Sequence, residues 1–422
     1  MDQRIEIMPQ VWLRAICTDR FKSACLSFSL LRPLRREEAA KNALVANVLL
    51  RGTQKHPDLR SVSQVLDLYY GAGLGPLVRK NGEIQTCGVF LSFMEDRFAL
   101  PGDQVLEPML EFLGEILFQP RLEGGAFVPE FVAGEKQNLI NTMEALLNDK
   151  RAYADRQMLR AMCRDDSFGV SRLGEPEDVA EIEPASLYAH YQSLLAHSPV
   201  EIFYAGSASP ERVATLLRRV LQPLPRGDMD LADWKPMRKT RQTQYLEETM
   251  GVTQAKLSMG FTTGITTRDK EFPTLMVFNA LYGAGVTSKL FLNVRERLSL
   301  CYYADSSVFG SKGILAVSSG IETGKYTMAK DEILRQLEAC CAGEITGQEL
   351  EAAKQAIYSS LRTVADSPGR MEDFALFGRL SGFSLSVSEY EAAVHAVTAE
   401  QVAAVARQIR LDTIFLLKGA PV

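Results

Sequence analysis

The sequence predicts an α+β protein made of two similar domains, each a mostly antiparallel sheet with helices packed on one face. The first observation is a pair of strand-like segments, ACLSFSLLRPL from Ala24 and AKLSMGFTTGI from Ala255. Both alternate apolar and polar residues, which is typical of half-buried strands, and both contain Ala-x-Leu-Ser. The second observation is that helix patterns follow them in one order, and the third is a polar stretch between the two halves.

Each half continues in the same way after its first strand. The helix-like segments NALVANVLL and FPTLMVFNALYG follow the two strands, and each half closes on a helix pattern and a strand, LYAHYQSLLAHSPVEIFYAG and AEQVAAVARQIRLDTIFLLKG. Internal duplication is the simplest account of this order. Long amphipathic stretches such as YTMAKDEILRQLEACC predict helices that stack on one face of each sheet.

The polar stretch QPLPRGDMDLADWKPMRKTRQTQ separates the halves and shows no apolar periodicity. We therefore expect an amino-terminal domain at 1–226, a linker at 227–244 and a carboxy-terminal domain at 245–422. We also expect the chain to stay within one domain throughout each half.

Composition excludes several classes of protein. The net charge is −5 with 23% charged residues, and no block of one sign indicates a nucleic acid or an anionic membrane as partner. No segment has the apolar length of a signal peptide core or of a spanning helix, so we expect a cytoplasmic protein with no membrane partner. The seven cysteines are odd in number and lack C-x-x-C, which suits neither a disulfide framework nor a zinc ribbon.

Three motifs carry a resemblance to a known family. They are Arg51-Gly52-Thr53 after an apolar helix, GAGVTSKLF from Gly283, and VRERLSLCYY from Val294. Together with the duplicated layout, they resemble the pitrilysin or insulinase family of zinc peptidases, in the two-domain branch related to mitochondrial processing peptidase. The resemblance covers nearly the whole chain, and the second-half motif is its most specific part.

The resemblance implies a zinc motif, H-x-x-E-H, that this chain lacks. In active members two histidines four apart bind zinc and the glutamate between them is the general base. Alignment on Gly52-Thr53 places Ala43 and Asn47 at the histidine positions and Ala46 at the base.

The third family ligand, a glutamate on a later helix, matches Thr142, with Glu144 as the neighbouring alternative. The chain thus looks like an inactive bacterial homologue, with no zinc or other cofactor of its own. Its only four histidines offer no substitute site, because His190 and His197 could share a helix face but have no evident third ligand; the other two are His56 and His395.

The resemblance also assigns a supporting pair in the second half. Active relatives use an Arg and a Tyr seven residues apart to bind the substrate and stabilise the oxyanion, and here these positions hold Arg295 and Tyr302. We expect Tyr303 to face the other side of the strand. The alternative is structural: Arg295 would pair with a carboxylate such as Glu296 or Asp305, and Tyr302 would be an ordinary half-buried strand residue.

Three functions remain open at this point. The first is a non-metal subunit that pairs with a zinc-bearing homologue as a heterodimer and supplies Arg295 and Tyr302 in trans for cleavage of a peptide or unfolded polypeptide. The second is a non-catalytic scaffold or peptide-binding protein of the same fold. The third is an independent enzyme with unfamiliar residues, although no nucleophile and base are evident. No zinc peptidase activity is expected from this chain alone.

Overall fold

The computed structural model describes residues 2–227, 231, 237 and 242–419. Most of the expected linker, 227–244, lies outside the described residues. No helix in the described part of the chain combines the length and apolarity needed to cross a membrane.

The first half contains one large sheet and a tiny two-stranded one. Its strands are β1 (Asp2–Met8), β2 (Val11–Cys17), β3 (Ser23–Pro33), β4 (Gly73–Asn81), β5 (Ile84–Met94), β6 (Leu122–Glu123), β7 (Ala126–Phe127) and β8 (Val200–Gly206). Its helices are α1 (Arg36–Leu49), α2 (Leu59–Leu68), α3 (Leu106–Phe118), α4 (Pro129–Asn148), α5 (Lys150–Met162), α6 (Pro176–Ala180), α7 (Pro184–His197) and α8 (Pro210–Val220).

The second half repeats the plan with one sheet. Its strands are β9 (Gln244–Thr249), β10 (Ala255–Thr262), β11 (Cys301–Phe309), β12 (Ile314–Ile321) and β13 (Arg410–Lys418). Its helices are α9 (Phe272–Tyr282), a π-helical segment (Phe291–Arg297), α10 (Tyr326–Ala342), α11 (Gly347–Val364), α12 (Pro368–Ser381), α13 (Val387–His395) and α14 (Ala399–Ala406). Capping boxes begin α11, α13 and α14, because Thr346, Ser386 and Thr398 each stand three residues before a Glu or Gln.

Five strands of the first sheet match the second sheet in order, and the first sheet has one further edge strand, β1. The first has the order β1-β2-β8-β3-β5-β4 and the second β9-β13-β10-β12-β11. All their pairings are antiparallel except β2 with β8 and β13 with β9, which occupy equivalent places. The two Ala-x-Leu-Ser strands, β3 and β10, lie in the interior of their sheets. The predicted α+β class with two mostly antiparallel sheets is confirmed.

The compact units differ from the sequence halves in two segments. Unit 1 comprises Met1–Glu144, Val170–Asp233 and Ser367–Leu376; unit 2 comprises Ala145–Gly169, Trp234–Asp366 and Phe377–Val422. Each unit therefore contains a helical segment from the other half, so the chain does not stay within one domain in either half. The donated segments, around α5 and at the start of α12, follow the equivalent helices α4 and α11. The exchange thus repeats with the duplication and does not contradict it.

In unit 2, α5 covers the sheet face opposite α9. Asp305 on β11 accepts a hydrogen bond from Arg151 of α5 at 2.5 Å, whereas its neighbour Ser306 donates to Asn279 of α9 at 2.8 Å. Adjacent strand residues point to opposite faces, so the sheet carries a helix on both. The apolar side chains of α5 join a core with both β12 and β13: Tyr153, Ala154, Met158 and Met162 on the helix, and Ile314, Ala316, Phe415 and Leu417 on the strands.

In unit 1, the segment Ser367–Leu376, called the strap below, packs on sheet residues of the first half. Its Ala375 and Met371 join a small apolar cluster with Cys25, Phe203 and Ala205. Glu372 of the strap accepts a hydrogen bond from Arg79 of β4 at 2.7 Å.

Candidate functional site

The helix that matches the zinc motif buries two of the three motif positions, and the polar side chain at the third has a hydrogen-bond partner within the helix. In α1, Ala43 and Ala46 are buried, with 0% and 1% exposure. Asn47 donates its side-chain amide to the carbonyl of Ala43, one turn earlier, at 2.9 Å. A methyl group has no lone pair for zinc and cannot accept a proton, so these positions hold neither ligand nor base.

The Gly-Thr turn after α1 has a structural role in this protein. A Cβ on Gly52 would lie 2.7 Å from the carbonyl oxygen of Pro57, so only glycine fits there. The hydroxyl of Thr53 accepts from the backbone N–H of His56 at 2.9 Å and donates to the carboxylate of Glu115 on α3. The ring of His56 lies 2.7 Å from the same carboxylate through Nδ1. The turn is therefore fixed to α3 by side chains.

An ion pair joins the end of α1 to α4. Arg51 donates to Glu135 at 2.9 Å, and its guanidinium lies 5.4 Å from the ring centroid of Phe131, one turn earlier on α4. Asn138 donates to the second oxygen of Glu135 at 3.2 Å. In the sequence Arg51 is evident only as part of the motif, and Glu135 carries no signal because its partner is 84 positions away.

The position matched to the third zinc ligand faces solvent. Thr142 on α4 is exposed and donates its hydroxyl to the carbonyl of Asn138 at 2.8 Å, and the alternative Glu144 is also exposed. In the described ranges no group of three or more His, Cys, Asp or Glu could hold a metal ion. The arrangement around α1 therefore offers no metal centre.

A buried amide network holds α1 against the rest of unit 1. Asn42 donates to Gln85 of β5 at 2.8 Å, and His190 of α7 lies 2.7 Å from the other side-chain atom of Asn42 through Nε2. Gln85 donates to the carbonyls of Ala39 and Arg172 at 3.0 and 2.6 Å. Burial lowers the pKa of His190 to about 4, so it is neutral at pH 7 and donates from Nε2. This histidine is structural.

Arg295 lies in the π-helical segment Phe291–Arg297 and is 41% exposed. Its guanidinium stacks over the ring of Phe291 at 4.5 Å from the centroid. The one carboxylate that pairs with it in the described part of the chain is Glu296 at 3.6 Å, which is outside hydrogen-bond distance. Of the two carboxylates expected as structural partners of Arg295, Glu296 is close to it, whereas Asp305 pairs with Arg151.

Tyr302 is 63% exposed on the edge strand β11. The pairing of β11 with β12 shifts between Cys301 and Ala304, so Tyr302 stands at a bulge, just after Ser299 with its positive φ of 48°. Tyr303 packs the other way: the guanidinium of Arg151 lies 4.3 Å from its ring centroid. Within the described residues no hydrogen bond joins Arg295 to Tyr302. They lie on either side of the short segment 298–300 that links the π-helix to β11.

Fold and motif together define a peptidase-like protein whose metal-binding positions carry no ligands. Residues 181–357 match the family described as Peptidase M16 inactive domain. The chain is 31% identical over 402 residues to "Probable inactive metalloprotease YmfF" of Bacillus subtilis (strain 168), covering 95% of this chain and 94% of that protein. It is 26% identical over 253 residues to "Uncharacterized zinc protease YmxG" of the same organism, covering 59% of this chain and 61% of that protein.

A solved structure has the same fold over nearly the whole chain. The crystal structure of a conserved protein from Enterococcus faecalis V583 superposes with a TM-score of 0.91 at 28% identity and covers 99% of both chains. The chain belongs to the M16 family of peptidases, as an inactive homologue that lacks the zinc motif, and the resemblance to the pitrilysin group is confirmed.

Proposed function

We propose that the chain is a non-metal subunit that pairs with a zinc-bearing homologue and supplies Arg295 and Tyr302 to a shared peptide-cleaving chamber. The partner would bring the zinc, its ligands and the general base. This chain would bring a fixed cation and a neutral O–H donor, which can stabilise a developing oxyanion without a change in protonation.

The observation that carries the proposal is the accessibility of both side chains. Tyr302 is 63% exposed at a bulge of an edge strand, and Arg295 is 41% exposed with its nearest carboxylate at 3.6 Å. Neither side chain is buried in the core, although the Arg295 guanidinium stacks on the ring of Phe291. Arg295 also lies in a π-helical turn, a rare geometry that is frequent at functional sites.

The alternative is a non-catalytic scaffold or peptide-binding protein. It is favoured by the way the former metal positions are filled, since Ala43 and Ala46 are buried and the Gly-Thr turn is fixed to Glu115. Both functions use the same fold. They differ in whether Arg295 and Tyr302 contact a reacting peptide.

Co-expression with a homologue that carries H-x-x-E-H tests the proposal. The tagged chain is purified, the co-purifying subunit is identified, and cleavage of a reporter peptide is measured for the pair and for each chain alone. We expect the pair to cleave and each single chain to be inactive, with activity abolished when the homologue's motif glutamate is changed to glutamine. Equal cleavage by the homologue alone would leave the scaffold function.

A further inference from the structure

We propose that Asn293 and Gln336 are positioning residues, which set the direction of Arg295 by holding the π-helical segment Phe291–Arg297 in register against one face of α10. The inference rests on the proposed function, in which Arg295 binds a developing oxyanion. It adds the residues of this chain that fix this cation and that act on the reaction only through it.

The π-helical segment is anchored at both ends. Before it, Lys289 is buried and its ammonium group contacts Glu349 of α11 at 2.7 Å. After it, Leu300 is buried just ahead of β11. The number of residues between the two anchors is fixed. A change of helical register inside the segment therefore has to turn the side chains that lie between them.

The register of the segment decides where Arg295 points. The backbone N–H of Leu298 donates to the carbonyl of Asn293, five residues earlier, at 3.2 Å, which is the hydrogen bond of a π-turn. A π-turn holds one residue more than an α-turn, and one residue of an α-helix corresponds to about 100° of rotation, so the α-register would turn Arg295 by up to about that angle. The positive φ of 48° at Ser299, directly after the segment, is uncommon for a serine and needs support from its surroundings.

One face of α10 supplies this support. Three contacts join α10 to the segment in antiparallel order: Lys325 to the carbonyl of Ser299 at 3.4 Å, Glu332 to Arg297 at 3.7 Å, and Gln336 to Asn293 at 3.1 Å. The three α10 residues are spaced by seven and then four positions, which places them on the same face of a helix. The segment is thus held at its beginning, its end and the residue that follows it.

A buried carboxylate fixes the direction of the hydrogen bonds in this network. Glu332 accepts two hydrogen bonds from Arg335, at 2.8 and 2.5 Å, and one from the amide nitrogen of Gln336 at 2.7 Å. Burial alone would raise the pKa of Glu332, but the hydrogen bonds from Arg335 and Gln336 lower it, so the carboxylate is ionised at neutral pH and only accepts. The amide oxygen of Gln336 therefore faces Asn293, whose amide nitrogen donates to it and to the carbonyl of Lys289 at 2.9 Å.

The direction of Arg295 depends on these tethers because its own contacts turn with it. In the described part of the chain its ring stacking and its ion pair both stay inside the segment, with Phe291 at 4.5 Å and Glu296 at 3.6 Å. Neither contact can fix the guanidinium relative to the sheet. Gln336, which is 4% exposed on α10, reaches the segment from outside through Asn293.

NMR of the intact chain with isotope-labelled arginine measures the direction of Arg295. The guanidinium stacks on the ring of Phe291, so the ring current shifts its signal, which is assigned by its loss in Arg295→Lys. We expect Gln336→Met, which removes the amide, to move this signal. Asn293→Asp, which puts an acceptor where the network needs a donor, should move it as well. An unmoved Arg295 signal in both variants would overturn the inference.

The matched control deletes the corresponding buried amide in unit 1. Gln85 also accepts a hydrogen bond from an asparagine amide, that of Asn42, at 2.8 Å. Gln85→Met should lower the free energy of unfolding and leave the Arg295 signal where it is. A signal that moves equally in Gln85→Met would mean that any loss of a buried amide disturbs Arg295, which contradicts a specific role for Gln336.

A double-mutant cycle in the reconstituted pair separates positioning from a general loss of structure. Gln336→Met should lower kcat about 100-fold in the otherwise unmodified chain, the size of loss that a displaced reacting group causes. In the Arg295→Ala background the same change should alter kcat less than about twofold, because the group that it positions is absent. Equal fold losses in the two backgrounds would show that Gln336 supports only the fold.

The two measurements fail separately. An unmoved Arg295 signal in the single chain refutes the inference whatever the pair does. A moved signal together with normal turnover by Arg295→Ala refutes the proposed function instead. If Gln336→Met does not fold, Asn293→Asp takes its place in both experiments.

Discussion

Arg51 at the end of α1 donates a hydrogen bond to Glu135 of α4 at 2.9 Å. These two helices carry the positions that the sequence alignment predicts for zinc ligands, Ala43 and Asn47 on the first and Thr142 on the second. An ion pair and the ring of Phe131 join these helices. Side-chain contacts of Arg51, the first residue of the Arg-Gly-Thr motif, therefore hold α1 and α4 together in this chain.

Breaking this ion pair should destabilise the fold. Arg51→Met leaves Glu135 with one hydrogen bond, from Asn138, in a site where the carboxylate side chain is 10% exposed. We expect a loss of about 2–3 kcal/mol in the free energy of unfolding, below the value for a fully buried pair because the Arg51 side chain is 26% exposed. Urea unfolding measures it.

The control for that variant is an exposed pair of the same type. Arg14 contacts Asp2 at 2.8 Å with side chains 36% and 47% exposed. Arg14→Met should cost less than about 1 kcal/mol. Equal losses in the two variants would show that the Arg51 contact has no special role.

The purified chain should bind no stoichiometric zinc. Ala43, Ala46 and Asn47 remove two ligands and the base, and Thr142 removes the third ligand. Elemental analysis after dialysis measures the metal content. One tightly held zinc per chain that is lost on mutating residues 43–47 would contradict the alignment on Gly52-Thr53.

The free energy of unfolding should fall as the pH is lowered, because His190 is held neutral in the folded chain. Its folded pKa is about 4, below the ordinary value of 6.5, so between these values the unfolded chain binds a proton that the folded chain does not. The contribution is complete above pH 6.5 and is lost as the pH falls toward 4, by on the order of 3 kcal/mol. Urea unfolding from pH 7 to pH 4.5 measures it.

Two histidine variants separate this effect from general acid sensitivity. His190→Gln should be less stable than the unmodified chain at pH 7, and the difference should shrink as the pH falls. His197→Gln, at the exposed end of the same helix, should not change the pH dependence of the free energy of unfolding. A constant difference for His190→Gln would remove His190 as the cause.

The second half should not fold alone. Residues 245–422 lack α5, whose Tyr153 and Met158 pack on Phe415 and Leu417. We expect this fragment to show no cooperative thermal unfolding by circular dichroism, whereas the full chain unfolds cooperatively. Cooperative unfolding of the isolated second half would show that α5 is dispensable.

The sequence predicted the repeated strands, the α+β class and the lost motif because each depends on local pattern. The patterns in β3 and β10 correctly indicate strands, but the expected half-burial is wrong, because both strands are buried on both faces. A ligand is either present or absent at Ala43. The exchange of α5 and the strap was missed because an amphipathic pattern shows that a helix buries one face, but not against which sheet.

The ion-pair partners of individual charged side chains could not be predicted from the sequence either. Asp305 was considered as a partner of Arg295, ten positions away, yet it pairs with Arg151, 154 positions away. Glu135 and Glu115 gave no signal beyond their amphipathic helices, although they fix Arg51 and Thr53. Long-range ion pairs depend on tertiary packing, which single-sequence patterns do not encode.

Turnover by the reconstituted pair, with Tyr302→Phe in this chain, tests the central claim most directly. The change removes one O–H donor and keeps the ring, so we expect kcat to fall about 100 to 1,000-fold with unchanged affinity between subunits. Arg295→Lys should also lose turnover, because the planar guanidinium is lost. Tyr303→Phe, on the opposite side of β11, should keep normal turnover. Near-normal turnover by Tyr302→Phe with normal assembly would contradict the catalytic role and leave a scaffold.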